Sequence, residues 1–125
     1  MSYETVMHAY YRALLQHDYH AVMKLFSKGA VIEHPIFGTM AAADFFKTLL
    51  DRAQRHEITI IDMFSALKNP QRMATYLSAK FTTKDNSQFE EKPIHIFDFT
   101  KEGLIEKMIV IIDTYRFRDE YSRQK

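Results

Sequence analysis

The sequence predicts a single α+β domain, residues 1–125, with its helices first and a long antiparallel meander after them. Three observations predict it. Apolar residues recur at helical spacing up to about Ala53 and alternate with polar ones from His56 onward. The separators between the later runs are short and rich in turn residues, which makes the strands they join antiparallel neighbours. A helical half followed by a strand half places the helices on one face of a sheet.

Ser2 caps a first helix that runs to about Gln16, with Val6, Met7, Tyr10, Ala13 and Leu14 on its apolar stripe. Asp18 caps a short second helix in which Val22, Leu25 and Phe26 face inward and Ser27-Lys28-Gly29 is the stop. A strand follows at about residues 30–34, within the stretch VIEHPIF. Pro35 forces the preceding residue into an extended conformation, so His34 continues the strand. Alternation puts Ala30, Ile32 and His34 on one face and Val31 and Glu33 on the other. Gly38-Thr39 opens a third helix whose stripe is Phe45, Phe46, Leu49, Leu50 and Ala53. Four strands are predicted at about 57–67, 72–83, 89–100 and 104–116, separated by Asn69-Pro70, Lys84-Asp85-Asn86-Ser87 and Lys101-Glu102-Gly103. Seven of the nine residues 104–112 are apolar and fall on both faces of the last strand. A strand covered on one side only alternates, so the second face of this one has a cover too, and a second copy of the chain is the simplest candidate.

Composition narrows the chemistry. The 17 basic residues are balanced by 16 acidic ones, which gives no electrostatic case for nucleic acid. With no cysteine, disulfides, thiolate catalysis and cysteine-ligated metal are excluded. No segment is long and apolar enough to span a bilayer, and MSYETVMHAYY lacks the pattern of a signal peptide, so a soluble cytoplasmic protein is the expectation. The six histidines show no HExxH or similar ligand spacing, and three glycines make no phosphate loop, so neither metal nor cofactor is expected. The charged tail RFRDEYSRQK reads as a solvated end. Ten Phe and seven Tyr suit a bulky core or an aromatic-lined pocket.

The order helix, helix, strand, helix, meander resembles the cone-shaped, nuclear-transport-factor-two-like (cystatin-like) fold shared with ketosteroid isomerases and SnoaL-like polyketide cyclases. LFSKGAVIEHP resembles the family's stretch ending in an acidic-Asp-Pro turn, GTMAAADFF its glycine-led third helix, and KEGLIEKM its last hairpin. The resemblance covers nearly the whole chain. It implies a curved antiparallel sheet around a blind apolar pocket that three helices close, and a homodimer. In ketosteroid isomerases an aspartate before the proline moves a proton, while a first-helix tyrosine and a late-strand acid hold the oxyanion. Counting back from Pro35 places Tyr10 at the tyrosine, a match; His34 stands at the aspartate and, counting back from Gly103, His95 at the acid. Two of three groups differ, so the steroid substrate is not inherited.

The replacements carry chemistry of their own. An ordinary imidazole titrates near ~6.5, so His34 suits a general base. His95 alternates with Phe97 and Phe99, and a neutral imidazole there donates an N–H to a developing oxyanion, with the Tyr10 hydroxyl beside it. Asp62 alternates with Ile60 and Phe64 and points either into the pocket or, more simply, to solvent. Two function classes stay open. One is a cofactor-independent isomerase, cyclase or dehydratase acting on a small apolar carbonyl compound; the other is a non-catalytic ligand-binding or dimerisation module. Buried histidines and tyrosines are ordinary in cores, and only the enzyme needs His34, Tyr10 and His95 to converge.

Overall fold

In the computed structural model the described residues are 2–115; the charged tail and the last residue of the expected fourth strand lie outside them. Helix α1 spans Tyr3–Leu15, and the Ser2 hydroxyl accepts the Thr5 N–H at 3.1 Å as expected of a cap. Its buried face holds the five expected residues and also Tyr11. The helix ends in a Schellman turn: the His17 N–H donates to the Leu14 carbonyl, the Asp18 N–H to that of Ala13, and His17 has φ 54°. Asp18 then caps α2, Tyr19–Met23.

Here the structure departs from expectation. Phe26 is not on α2 but opens strand β1, Phe26–His34. Gly29, with φ +80°, sits within β1 at the irregularity in its pairing with the last strand. A glycine read as a helix stop is a bulge residue. The segment expected to begin the third helix is likewise a strand, β2, Gly38–Ala41, which pairs with β1 in a tight hairpin closed by His34 opposite Gly38. Gly38 has φ +74°, a conformation that favours glycine. Helix α3 follows at Ala42–Arg52, without a side-chain cap, and buries Phe45 and Phe46.

The meander comprises β3 (Ala53–Ser65), β4 (Arg72–Thr83), β5 (Gln88–Glu91), β6 (Ile94–Phe99) and β7 (Ile105–Ile111). The expected strand 89–100 is split because Pro93 has no N–H to give to the ladder. β5 pairs the far half of β4 and β6 the near half. The sheet order is β2-β1-β7-β6-β4-β3, with β5 beside β4. All pairings are antiparallel except β1 with β7, so the curved sheet is mixed rather than purely antiparallel. That parallel contact brings the N-terminal hairpin, and His34 with it, against the end of the meander.

Helices and inner sheet face share one aromatic core. Tyr10 lies 5.9 Å from Phe26, 5.7 Å from Phe46 and 5.6 Å from Phe97, each edge-on. Inner-face positions run Met73, Thr75, Leu77 and Ala79 along β4, and His95, Phe97 and Phe99 along β6.

On β3 the alternation slips. Ile60 faces Leu77 and Asp62 faces Tyr76, so Ile61 is an extra residue and side-chain parity reverses across it. Asp62 therefore shares a face with exposed Phe64, not with Ile60, and its carboxylate accepts the Met63 N–H at 2.8 Å. Its solvent reading holds. Asp62→Asn, which keeps that acceptor, is expected to change stability by less than about 0.5 kcal/mol in denaturant unfolding; a larger loss would mean that the bulge does not set the direction of Asp62.

Candidate functional site

Between the helices and the inner sheet face lies an inner chamber of about 90 Å³. Leu14, Leu77, Met108 and Val110 supply apolar wall, and Tyr10, His34, His56, His95 and Glu91 supply polar groups. An outer chamber of about 320 Å³ adjoins it, with Met40, Thr48, Arg52 and Phe89 on its walls. Phe37, Phe45, Leu49 and Phe81 border both, so they form the neck between the two.

The three residues singled out from the sequence thus border one chamber, though not with the expected hydrogen bonds. At the end of β1 the chain turns sharply through Pro35, and the N–H groups of Ile36 and Phe37 both point back at His34 Nδ1, at 3.1 and 3.4 Å. Nδ1 therefore keeps its lone pair and the proton sits on Nε2. Burial pushes this imidazole down to about 4. That is the pattern of a donor. The hairpin thus engages the ring nitrogen that holds the lone pair.

His95, on β6, has Nδ1 2.8 Å from a tyrosine hydroxyl, and the tyrosine is Tyr11 rather than Tyr10. Whichever group donates, Nδ1 is committed and Nε2 is the nitrogen left for other partners. Burial, and secondarily the charge His34 would carry, pushes His95 down to about 4. Although it lies deep in the molecule, His95 keeps accessible surface because it borders the chamber. Burial also raises the Tyr11 phenol, against a smaller opposite effect of the Thr75 hydroxyl, so Tyr11 stays protonated. Tyr10 is raised well above the ordinary phenol range by burial first and Tyr11 second. Tyr10 borders the chamber.

Two further groups escaped the sequence reading. His56, inward on β3 opposite Phe81, has Nδ1 3.2 Å from Nε2 of His17, and a hydrogen bond joins the two rings. Burial, then the charge His17 would carry, pushes His56 down to about 4. Glu91 stands opposite Ala79 at the end of β5, in phase with inward Phe89. Its Oε2 is buried and has no hydrogen-bond partner among the described residues, and burial raises the carboxyl to about 7. The signal for Glu91 was present, since odd positions from Phe89 to Phe99 share one phase and Glu91 is the acid among them. Among the described residues no group of three His, Asp or Glu side chains gathers as a metal-ligand set, and no helix is long and apolar enough to cross a membrane.

No family model matches the chain, and no curated protein matches it. Solved structures do. An NTF2-like protein of unknown function from Burkholderia pseudomallei superposes with a TM-score of 0.79 at 15% identity, covering 95% of this chain and 97% of that one. The epoxide hydrolase/cyclase-like enzyme SalBIII, which acts in pyran ring formation in the polyether salinomycin, gives 0.77 at 19% identity over 89% and 90%. A computationally designed 17-OHP binder gives 0.76 at 19% over 86% and 90%. The chain has the NTF2-like fold. Identities this low establish the architecture and leave the chemistry to the residues.

These buried groups make stability depend on pH in two opposing ways. Each imidazole is pushed from 6.5 to about 4, so between those values the unfolded chain takes up protons that the folded protein refuses. Stability then falls as pH drops through that window, least for half-buried His34. Glu91 goes from 4.5 to about 7, so the folded protein holds a proton that the unfolded chain releases, and stability falls as pH rises between these values. Because three imidazoles outweigh one carboxyl, denaturant unfolding is expected to show stability that rises with pH from about 4 through 6.5 and levels off at about 7. Glu91→Gln should raise stability at pH 8 by roughly 2–3 kcal/mol and leave the acid loss in place. A variant no more stable than the parent at pH 8 would show that Glu91 is not held at raised pKa.

Proposed function

We propose that the protein binds a small apolar carbonyl compound in the two-chamber cavity and transfers a proton next to the carbonyl without a cofactor. The observation that carries this reading is the meeting of Tyr10, His34 and His95 at one apolar chamber. The His34 Nε2–H, the Tyr10 O–H and Nε2 of His95 when that nitrogen holds the ring proton are donors for the carbonyl oxygen as it becomes an enolate. All three are neutral at physiological pH, so they add no competing charge to the chamber. About 90 Å³ accommodates only the reacting end of a substrate, and its body occupies the outer chamber. The phenylalanine neck sets that orientation. SalBIII, a cyclase-like enzyme on the same fold, is consistent with chemistry of this class.

A second reading, a non-catalytic binder, is favoured by the imidazoles themselves. Conjugate acids near 4 make His34, His56 and His95 weak bases. 2-Tetralone in D₂O separates the readings. Exchange of its α-hydrogens, followed by NMR, is expected to run faster with protein than in buffer. His34→Ala or Tyr10→Phe should lower kcat by roughly 10²–10³-fold, the usual loss for one oxyanion donor. Saturable binding of 2-tetralone with exchange no faster than in buffer would leave the binder.

We further propose that two copies pair through the outer face of the sheet. The register sets Ile94 against Ile111 and Ile96 against Ile109 on that face, continuing through Tyr76 and Ala74 of β4 to Phe64 of β3. Ile111 and Phe64 are 47% and 50% exposed in the single chain, which is costly for a contiguous apolar surface. Light scattering at micromolar concentration is expected to give twice the 14.8 kDa chain mass, and Ile111→Glu to return the chain mass. A wild-type protein at chain mass would overturn the dimer.

A further inference from the structure

We propose that Glu91 is the group that takes and returns the proton in the inner chamber, a role that rests on the proton-transfer reading above. The chamber holds five polar side chains, and hydrogen bonding divides them. His34 has Nδ1 engaged by two backbone N–H groups, His95 has Nδ1 engaged by Tyr11, and His56 has Nδ1 engaged by His17. Tyr10 keeps its proton. Glu91 is the one acid among them, and its buried Oε2 has no partner among the described residues.

The position is set by backbone pairing. β5 lies along the far half of β4 with Phe89 against Phe81 and Glu91 against Ala79, both pairs turned to the inner face. Directly after Glu91, Lys92-Pro93 ends the strand, and the Pro93 carbonyl accepts the Leu77 N–H at 3.2 Å. A carboxyl is thus fixed at the last residue of a short strand, in the thin wall that separates the chamber from a polar groove on the outside.

The chemistry follows from proton affinity. Burial holds the Glu91 carboxyl near 7, whereas the chamber imidazoles lie near 4, so Glu91 is the strongest base facing the cavity at neutral pH. In the step proposed, a Glu91 oxygen takes the proton from the carbon next to the substrate carbonyl. The C–H electron pair becomes the enolate C=C, and the carbonyl π pair moves onto oxygen, where His34, His95 and Tyr10 donate to it. Glu91, now a carboxylic acid, returns the proton to the same carbon or, when the enolate is conjugated, to the far end of the dienolate. The first return gives exchange once the carboxylic acid has traded its proton for solvent deuterium, and the second gives isomerisation; neither consumes an oxidant or reductant.

The test uses the full-length protein and 2-tetralone in D₂O. Glu91→Gln keeps the side-chain shape and removes the proton acceptor. It should lower kcat for α-exchange by about 10²–10⁴-fold while KM changes little. Glu91→Asp should recover part of the rate. In the parent protein kcat/KM should rise with pH through about 7 and level off, and that limb should be missing from the residual rate of Glu91→Gln. Circular dichroism and tetralone binding confirm that both variants are folded. A folded Glu91→Gln that exchanges as fast as an active parent overturns the role of Glu91 and leaves proton transfer in the chamber standing. A Glu91→Gln whose rate falls only through a raised KM overturns it too. A parent no faster than buffer overturns the proton-transfer reading and, with it, the role of Glu91.

Discussion

The insertion of Tyr10 between Phe26, Phe46 and Phe97 holds the cone together, because these rings belong to four different elements. Tyr10 comes from α1, Phe26 from β1, Phe46 from α3 and Phe97 from β6. Each edge-on contact contributes on the order of 1 kcal/mol beyond the area it buries, and no pair among them is close in sequence. The cluster ties the helical half to the sheet, and through Tyr10 it borders the inner chamber. Tyr10 is a core residue and also one of the residues on the chamber wall.

The same burial that makes the core dry governs the polar groups beside it. Three imidazoles are stripped of water and stay neutral, each oriented by a bond to one ring nitrogen, while a carboxyl is stripped of water and becomes a stronger base. Desolvation moves the two kinds of group in opposite senses on the pH axis. A chamber in which the acid has the higher proton affinity reverses the order that free side chains show in water.

Much of this was legible in the sequence because it depends on periodicity. The inward residues of α1, the phase of His95 with Phe97 and Phe99, and the alternation of His34 with Ala30 and Ile32 all follow from counting. What was not legible depends on single backbone departures from the period. Gly29 and Gly38 read as helix punctuation in the sequence, but their positive φ serves a bulge and a hairpin; β1 exists through long-range pairing with β7, and β2 through pairing with β1. The extra residue at Ile61 reverses parity without a glycine or proline to mark it. The tautomer of His34 was also out of reach, since it is set by N–H groups two and three residues on, in a turn whose geometry alternation does not specify. Tyr11 was passed over for a different reason: it lies beside the Tyr10 stripe at the helix margin, where burial is decided by the curvature of the facing sheet.

The end of α1 carries a conflict between local and distant demands. His17 occupies a left-handed backbone position that a side chain with Cβ adopts at a cost of roughly 1–2 kcal/mol and that glycine adopts freely. The imidazole placed there reaches across to His56 at the cavity wall. Substitution to glycine relaxes the helix terminus and at the same time frees the His56 ring to rotate and change tautomer. A selection that rewards thermal resistance alone therefore draws the sequence away from an ordered cavity wall. Keeping a histidine at this corner marks the point at which an easier-folding variant and a better-organised interior are different molecules.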